Sequence, residues 1–543
     1  MTDRRAGLIG AAVVLTGLTL FVTWPQGLFL SSQLAAHHDA LFSIWRISWI
    51  AHGLQVAPLH LFDANIFHPA QGTLAFSDAT LLEGLVGAPL LWAGLPPTLV
   101  YNLLLLAGFV GSGVAMYVLS WHLTRQVGPS LIAGAVFTVL PYRIEHFMHL
   151  ELQWAMFIPL TWWALHRTVE SSSVRWGVAA GLFLSLQMLA CVYYGVFLGM
   201  TLLVFVPACV VGLPVSRLRT LLVPCAAAAL VVVVLVVPFA LPYMGAAREL
   251  GGRTATEVAR YSATLSSYFA TSSLNHLWGW TDAWGASELR LFPGALALVL
   301  GVAGAVVRPG RTAIVYALVV VTAVELSFGL NGVVYRTLFT HLDAMQGFRA
   351  TARFAVVASA ALAVLCALGT AHLLRLAAAG RVRTAAVAVL LLVIAAEGAN
   401  QPMWLVAAQP TLPPDVYQVI RRAAPGAILE LPLPDPEQLP GHDPEYQVWS
   451  LWHWRPLVNG YSGYYPRDYL MTMLRMNVFP REGTLERLRA HDVRYIIVHR
   501  AFYDQDEHAG LMMRMASSPE LKPWGAYKDS VGTADVFELI PVD

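Results

Sequence analysis

Long blocks of hydrophobic residues alternate along the chain with shorter segments that carry most of the polar side chains. A helix needs about 20 predominantly apolar residues to cross a bilayer. The pattern therefore predicts an all-α polytopic membrane protein with about 11 transmembrane helices. The predicted spans are residues 7–30, 98–121, 129–142, 153–168, 175–194, 197–213, 219–243, 291–307, 312–330, 354–376 and 383–404.

A further apolar block, residues 80–94, is shorter and contains Glu83 and a proline. We interpret it as an interfacial or re-entrant segment. If it crossed the bilayer instead, the alternation of inner and outer loops would invert from Tyr101 onward.

The short polar segments predict the orientation of the chain. Arginine is concentrated in connections on one side of the predicted spans, such as residues 122–126, 166–175 and 375–383. Cytoplasmic loops carry an excess of basic residues, so we expect a cytoplasmic N-terminus. An odd number of spans then places the C-terminal region outside. The long outer segments are 31–97, 143–152, 244–290 and 331–353.

After residue 404 the pattern changes from long apolar blocks to short alternating pieces. The stretches ‘AILELPLP’, ‘RYIIVH’ and ‘DVFELIP’ are typical of strands, and ‘PPDVYQVIRRA’ and ‘GTLERLRAH’ are typical of helices. We therefore predict two domains. Residues 1–404 form a transmembrane domain with a large first outer loop, 31–97. Residues 405–543 form a small α/β or α+β extracytoplasmic domain.

Composition supports a membrane protein and narrows the possible functions. Of the 543 residues, 57% are hydrophobic and only 12% are charged, whereas soluble domains are about a quarter charged. The net charge is +1, without a basic run, so no nucleic-acid partner is expected. Motifs for nucleotide hydrolysis, serine hydrolysis and zincin chemistry are absent from the sequence.

The first outer loop contains a helical pattern in ‘DALFSIWRISWIAHG’. Asp39, Ser43 and Arg46 fall on one stripe of this helix, and an aromatic stripe with Trp45 and Trp49 runs beside it. We expect an amphipathic helix at the membrane surface with its polar side toward a cavity. Two interpretations of Asp39 stay open and are compatible. It caps the helix N-terminus, or it is a catalytic carboxylate.

A second outer segment, ‘LPYRIEHFMHLELQW’, concentrates ionisable residues. Glu145 and His149 are four residues apart, and His146 and His149 are three apart, so these side chains are expected on one face. With Glu151 they suggest a site in an apolar chain, and imidazole and carboxylate are ordinary metal ligands. A divalent cation such as Mg²⁺ or Mn²⁺ is one hypothesis, although no metal is required. The alternative is an interfacial loop whose polar groups meet water and headgroups.

Several arginines lie in predicted outer loops, where the anionic cytoplasmic leaflet does not attract them. Their guanidinium groups suit charge-assisted bonds to a lipid-linked phosphate. The alternative is pairing with Glu249, Glu257 or Asp343. The arginines are Arg248, Arg253, Arg260, Arg349 and Arg353. Because Arg349 and Arg353 are four residues apart, we expect them on one helical face.

The layout resembles the GT-C superfamily of integral-membrane glycosyltransferases, in particular an uncharacterised bacterial branch near it. Asp39 stands where that superfamily has its first-loop acid. The segment from Asp39 to ‘LFDANIFHPAQGTLAFSDATLLEG’, together with ‘HFMHLELQWAMFIPL’, ‘GFRATARF’ and ‘RPLVNGYSGYYP’, carries the resemblance. One departure is that Ala40 follows Asp39, so paired acids are not adjacent. Glu145, Glu151 and Asp78 remain candidates for a second carboxylate.

The resemblance implies an enzyme of the bacterial inner membrane that takes a hexose or pentose from a polyprenyl-phosphate donor, with inversion. The acceptor would be a glycan, a lipid or a protein on the outer face. Asp39 would be the general base, and His146 and His149 would orient the acceptor or hold a cation, beside Asp78. The predicted phosphate ligands are Arg46, Arg248, Arg253, Arg349 and Arg353.

The rival class is a transporter, a flippase or an accessory protein of a cell-envelope pathway. A transport pathway needs polar groups through successive spans. Gln187, Glu325 and Glu397 are the few such residues in the predicted spans, which favours chemistry at the outer face. In the tail, ‘SLWHWRPLVNGYSGYYP’ has two open interpretations. It closes over the cavity and contacts the acceptor, or it is folded core with a tight hairpin at Asn459 and Gly460.

Overall fold

A computed structural model describes residues 2–307, 309–377, 380–408 and 412–540. The remaining positions lie outside the description. They include Arg308, part of the predicted loop 375–383, and residues 409–411 and 541–543 of the predicted C-terminal domain.

The described chain is mainly helical. Its α-helices in chain order are α1 Thr2–Val22, α2 His38–Val56, α3 Leu81–Trp92, α4 Pro97–Thr124, α5 Val127–Thr138, α6 Pro141–Glu145, α7 Leu150–Gln153, α8 Phe157–Ser171, α9 Val174–Ala190, α10 Val192–Val210, α11 Val215–Leu250, α12 Ala255–Arg260, α13 Ala295–Val306, α14 Arg311–Ser327, α15 Val334–His341, α16 Phe354–Leu376, α17 Arg381–Glu397, α18 Asp415–Arg422, α19 Asp443–Trp449, α20 Arg467–Met476, α21 Glu482–Ala490 and α22 Gln505–Ala516. The strands are β1 Gln33–Ala35, β2 Leu405–Ala407, β3 Ala427–Leu431, β4 Val493–His499, β5 Leu521–Lys528 and β6 Thr533–Leu539.

Each apolar block predicted as a span overlaps a helix. Among the described residues, 5 helices are long and apolar enough to cross a membrane. They are Pro97–Thr124, Val127–Glu145, Val192–Val210, Val215–Leu250 and Thr351–Leu376. Shorter apolar helices include Ala6–Val22, Leu81–Trp92, Val174–Ala190 and Ala295–Val306. The chain is therefore an integral membrane protein, while the count of about 11 crossings stays a prediction.

The described chain divides into two compact units. The first comprises residues 1–30, 102–241 and 252–405, and the second comprises 31–101, 242–251 and 406–543. The second unit thus joins the segment predicted as the first outer loop to the tail. The predicted division into residues 1–404 and 405–543 separates the membrane part from the part outside it. The compact units are defined by contacts instead, so that division stays a prediction.

Helix α16 forms the centre of the first unit. Every residue from Phe354 to Ala367 is buried, and α16 packs mainly against α13, α14 and α5. Glycines allow the closest approach, because a Cβ atom on Gly369 would lie 2.0 Å from the carbonyl oxygen of Leu300. A Cβ on Gly304 would meet the carbonyl of Leu365 at the same distance. Small residues at helix crossings let backbones pack closely in membrane proteins.

The second unit contains a four-stranded sheet in the order β3-β4-β6-β5. β3 and β4 run parallel, and β6 is antiparallel to both β4 and β5. The sequence patterns predicted β3, β4, β6, α18 and α21 correctly. The edge strand β5 was missed, because Pro523 and Gly525 interrupt its strand-like pattern.

Helix α2 is not the predicted amphipathic surface helix. Every residue from Phe42 to Ala51 is buried, so the polar stripe and the aromatic stripe are both covered. Helices α3 and α19 pack against it within the second unit. The sequence pattern correctly predicted a helix here. The prediction that its polar side faces a cavity is wrong for residues 42–51, because all of them are buried.

The glycine contact between α13 and α16 gives a test of the first unit. We expect Gly369→Ala to lower its stability by about 1–3 kcal/mol, because the added methyl forces the two backbones apart. Thermal unfolding of the purified full chain in detergent would measure this. Gly199→Ala is the matched control, because no atom lies within 4 Å of a Cβ at that position in α10. An equal melting temperature for both variants would contradict the proposed packing.

Candidate active site

Asp39 lies in the first turn of α2, but His37 is the N-cap. The Nδ1 atom of His37 accepts a hydrogen bond from the backbone N–H of Asp39 at 3.1 Å. The interpretation of Asp39 as the capping residue is therefore wrong. A negative charge in the first turn of a 19-residue helix is favoured by the helix dipole.

The Asp39 carboxylate is held by the tail. The Tyr461 hydroxyl donates to Oδ1 at 2.8 Å, and His37 Nδ1 lies 3.2 Å from Oδ2. While His37 Nδ1 accepts the backbone N–H it cannot also donate to the carboxylate, so Tyr461 is the orienting donor. The Asp39 side chain is 16% exposed, which leaves room for a ligand atom to approach.

Aromatic side chains of the tail line α2 beside this carboxylate. The Tyr461 ring meets the Phe42 ring edge-on at a centroid distance of 5.3 Å, and it lies 6.4 Å from the His38 ring. Further along α2, the His52 ring stacks on Trp454 at 4.1 Å. The tail segment 450–466, which the sequence marked by its aromatic residues, thus contacts the first-loop helix.

The predicted hairpin at Asn459 and Gly460 is wrong. Instead of turning back on itself, the segment runs beside β3, with a parallel bridge between Leu457 and Ile428. The Asn459 side chain accepts from the Glu430 N–H at 2.8 Å and donates to the Glu430 carbonyl at 3.0 Å. A side-chain amide thus replaces the hydrogen bonds that a hairpin strand would have made.

Asp443, which sequence patterns did not single out, lies behind this segment. Its carboxylate accepts from Asn459 Nδ2 at 3.0 Å and from the Tyr469 hydroxyl at 2.5 Å. Burial raises the pKa of Asp443 to about 7, against the opposing effect of these two hydrogen bonds. The network fixes the backbone that presents Tyr461 to Asp39.

Other predicted residues of the second unit have separate contacts. Arg46 is buried, donates to Ser43 Oγ at 2.9 Å and to the Asp78 carbonyl, and lies over the Phe42 ring. The Asp78 carboxylate accepts from the Thr80 N–H at 3.4 Å. Arg248 is exposed near the end of α11. The predicted proximity of Ser43 and Arg46 is confirmed, while phosphate binding by Arg46 and Arg248 stays a prediction.

In the first unit, a second polar cluster forms around two residues that the sequence patterns missed, Glu288 and Arg290. Arg353 donates to Glu288 at 2.6 Å and 3.3 Å. Arg290 donates to Glu145 at 2.5 Å and lies 2.8 Å from Asp282. The loop 244–290 therefore supplies the partners of charges that the sequence had assigned to a catalytic site.

Glu288 is the centre of this cluster. Burial acts to raise the pKa of its carboxyl, but the Arg353 guanidinium and His146 outweigh that effect and hold it well below its usual range. The Tyr142 hydroxyl also donates to Glu288, at 3.0 Å. His146 lies 3.8 Å from Glu288, yet burial lowers the pKa of the imidazole. The geometry describes an ionised carboxylate paired with Arg353.

Arg349 and Arg353 do not share a helical face. Arg349 lies in a bend before the short 3-10 turn Thr351–Arg353, so the four-residue spacing does not bring the two side chains together. Arg349 is 3.8 Å from Glu257, to which Arg253 also donates at 2.8 Å. The alternative that these arginines pair with Glu257 is thus confirmed for Arg349 and Arg253.

The predicted metal ligands lie close together. The His146 and His149 rings stack at 5.8 Å, and His149 is 3.9 Å from Glu151. Over residues 2–307, 309–377, 380–408 and 412–540, no group of three or more His, Cys, Asp or Glu side chains has the arrangement of a metal site. The divalent cation and the role of Glu151 stay predictions.

The predicted site residues belong to both units. Asp39, Arg46, Asp78 and Arg248 are in the second, and the others are in the first. The cluster around Asp39 in the second unit and the cluster around Glu288 in the first unit are therefore described separately.

No protein-family model and no curated protein sequence matches the chain. Solved structures do match over 99% of it. Arabinofuranosyltransferase AftD from mycobacteria matches with a TM-score of 0.64 and 13% identity, and the chain spans 40% of that protein's length. The oligosaccharyltransferase of Archaeoglobus fulgidus, tethered to an acceptor peptide, matches with a TM-score of 0.54 and 13% identity over 74% of its length.

Both are membrane glycosyltransferases of the GT-C superfamily. The chain therefore has the GT-C fold, and the resemblance predicted from the sequence is confirmed at that level. Of the mycobacterial protein, the chain matches about two fifths of the length.

The buried pair of Arg353 and Glu288 gives a test of its structural role. We expect Arg353→Ala to reduce the stability of the ligand-free protein by about 3–5 kcal/mol, because it leaves Glu288 charged and buried. Arg353→Met combined with Glu288→Met should recover most of the loss. Thermal unfolding in detergent measures all three proteins.

The control for this test is Arg167→Ala, which breaks an exposed pair with Glu170 and should cost less than about 1 kcal/mol. If Arg353→Ala were as stable as Arg167→Ala, the proposal that Arg353 compensates the buried charge of Glu288 would be wrong.

Proposed function

We propose that the chain is a membrane glycosyltransferase that moves a sugar from a polyprenyl-phosphate donor to an acceptor hydroxyl on the outer face of the membrane, with Asp39 as general base. The observation that carries the proposal is the oriented, partly open carboxylate of Asp39, held by Tyr461 at 2.8 Å. The GT-C fold supports the reaction class, and the low identity leaves donor and acceptor as part of the proposal.

The proposed step is a single displacement. The acceptor hydroxyl oxygen forms a bond to the anomeric carbon while its proton passes to Asp39. The bond from the anomeric carbon to the phosphate oxygen breaks, and the polyprenyl phosphate keeps the electron pair. A sugar hydroxyl is a weak nucleophile near neutral pH, so a base within hydrogen-bond reach is required. Attack from the opposite side inverts the configuration.

The contacts of the carboxylates favour Asp39 for this role. Glu145 is paired with Arg290 and Glu288 with Arg353, so a guanidinium already occupies each of them. The Asp39 carboxylate accepts from the neutral Tyr461 hydroxyl and lies 3.2 Å from the exposed His37 imidazole. A hydrogen bond from a neutral hydroxyl orients a carboxylate without neutralising its charge, so the group can still accept a proton from a sugar hydroxyl.

The proposed phosphate ligands can be ranked by the contacts that they already have. Arg353 is buried with Glu288, whereas the Arg349 side chain is 38% exposed and its contact with Glu257 is long, at 3.8 Å. Arg349 therefore keeps more of its N–H groups for an anion. We propose it, ahead of Arg353, as an arginine that binds the lipid phosphate.

Asp39→Asn tests the proposal. We expect transfer to fall by about 100-fold or more, because the amide cannot accept the proton. The measurement is release of polyprenyl phosphate from a panel of polyprenyl-phosphate sugars by the purified full chain in lipid nanodiscs. Asp415→Asn is the matched control, because Asp415 is an exposed acid in the first turn of α18 in the same unit. Normal turnover by Asp39→Asn would remove the catalytic assignment.

Tyr461→Phe tests the orienting role of the tail. Losing one hydrogen bond to the carboxylate should lower kcat by about 10-fold, with KM nearly unchanged and a changed pH profile of kcat. Tyr527→Phe, which removes a hydroxyl that donates to the Trp524 carbonyl in β5, should leave both constants unchanged. A Tyr461→Phe enzyme with only a higher KM would show that Tyr461 binds substrate instead of positioning Asp39.

A further inference from the structure

The second unit contains a cleft of about 690 Å³ that the proposed chemistry does not use. It lies beyond the carboxyl ends of β3 and β4. Leu431 ends β3 and lines the cleft, as does Phe502, three residues after the end of β4. Because these strands are parallel, their carboxyl ends lie at the same edge of the sheet, where open α/β sheets commonly bind ligands. Ligand pockets typically measure about 300–1,000 Å³.

The cleft combines an apolar floor with a polar rim. The floor consists of buried side chains, Leu431, Met473, Met476, Phe479 and Leu511. The rim consists of exposed side chains, Asp435, Gln438, Asn477, Asp506, Glu507 and Arg514. Within the described parts of the chain, none of these rim side chains has a hydrogen bond or an ion pair. Amide, carboxylate and guanidinium groups together offer both donors and acceptors, as a ligand with many hydroxyls requires.

An aromatic wall completes the cleft. The His442 and Phe502 rings stack at a centroid distance of 3.6 Å with an angle of 5° between planes, and both residues are half-buried. The Phe502 ring is large and apolar, and the C–H face of a sugar ring packs against an aromatic surface of this kind. A stacked wall beside unpaired polar groups suits a carbohydrate better than a purely apolar ligand.

The charge of the rim restricts which carbohydrate fits. Three carboxylates face one guanidinium, because Asp435, Asp506 and Glu507 are opposed only by Arg514. Burial lowers the pKa of His442, with His499 and His38 acting in the same direction, so the imidazole adds no positive charge at neutral pH. Uronates, sulfated sugars and phosphorylated glycans would be repelled.

The cleft also borders the surroundings of Asp39. Asp443, next to His442 in the chain, accepts a hydrogen bond from Asn459 Nδ2 at 3.0 Å. Tyr461, two residues after Asn459, donates to Asp39 at 2.8 Å. The His38 ring is 6.4 Å from the Tyr461 ring. A chain bound in the cleft and continuing past His442 and His38 would thus reach the proposed base.

We propose that this cleft binds the acceptor as an oligosaccharide that is uncharged or carries amino sugars, with its growing end at Asp39. This rests on the proposed function, and it names the class of acceptor that the site takes. The cleft then selects the acceptor by charge and by length, because only a chain of several sugars spans both the cleft and the base.

Gly510→Trp tests the cleft without touching the fold. Gly510 lies on α22 and lines the cleft, and a Cβ there would meet only Arg514 Nη1, at an ordinary 3.4 Å. An indole at this position would occupy part of the cleft and obstruct binding there. Gly483→Trp is the matched control, because Gly483 is an exposed helical glycine of the same unit with no atom within 4 Å of its Cβ.

The measurement is retention of the detergent-solubilised full chain on an array of neutral, amino-sugar and uronate oligosaccharides, with unrelated peptides alongside. We expect the wild type to bind neutral or amino-sugar spots, Gly510→Trp to lose at least 10-fold in apparent affinity, and Gly483→Trp to bind as the wild type. Retention only by uronates or only by peptides, retention by no glycan, or equal binding of Gly510→Trp would overturn the proposal.

A second comparison separates this inference from the proposed function. Asp39→Asn should still bind the oligosaccharides, because Asp39 does not line the cleft. If Asp39→Asn bound the oligosaccharides and also kept normal turnover, the assignment of Asp39 as general base would be wrong, while the proposed cleft would stand. If Asp39→Asn lost turnover while Gly510→Trp bound oligosaccharides as the wild type does, the cleft would be removed as the acceptor site and Asp39 would remain the proposed general base.

Discussion

One hydrogen bond, from the Tyr461 hydroxyl to the Asp39 carboxylate, joins residues 422 positions apart in the sequence. The proposed base depends on it, because His37 already uses its Nδ1 atom to cap α2. The bond in turn requires segment 450–466 to lie beside β3, and the side chain of Asn459 holds it there through the backbone of Glu430. The candidate site is therefore a product of the tail as much as of the first outer segment.

Charge pairing explains why the arginine-rich loops that are predicted to lie on the outer face look like an anion site in the sequence. Burying a guanidinium is costly unless it is paired or hydrogen-bonded, and a sequence shows the cations without their partners. In the first unit the partners are Glu257, Glu288 and Glu145. Glu288 comes from a loop in which nothing in the residue pattern distinguishes it. Arg349 keeps more of its guanidinium accessible than Arg353, because its contact with Glu257 is longer and its side chain is 38% exposed.

The elements of this fold were largely predictable, whereas its contacts were not. Long apolar blocks predict helices because length and hydrophobicity are local properties, and α2 was predicted from its stripes. The burial of α2 was not, because both α3 and the distant α19 cover it. Asp39 was predicted as a site residue from its position after the first apolar block, and its catalytic role stays a prediction. Tyr461 and Asp443 make their hydrogen bonds with partners far along the chain, which a single sequence does not reveal. The pair Asn459 and Gly460 suggested a hairpin wrongly, because the Asn459 side chain instead bonds to the backbone of Glu430.

The second unit is assembled from the two ends of the described chain, and this has a consequence for its biosynthesis. Helix α2, with its buried tryptophans, is synthesised long before the tail. Asp39 in its first turn precedes Tyr461 by 422 residues, which at about 5–20 residues per second is a delay on the order of tens of seconds. During that interval its aromatic surface has no cover from the tail. Membrane lipid or a chaperone must shield it until translation delivers the closing segment.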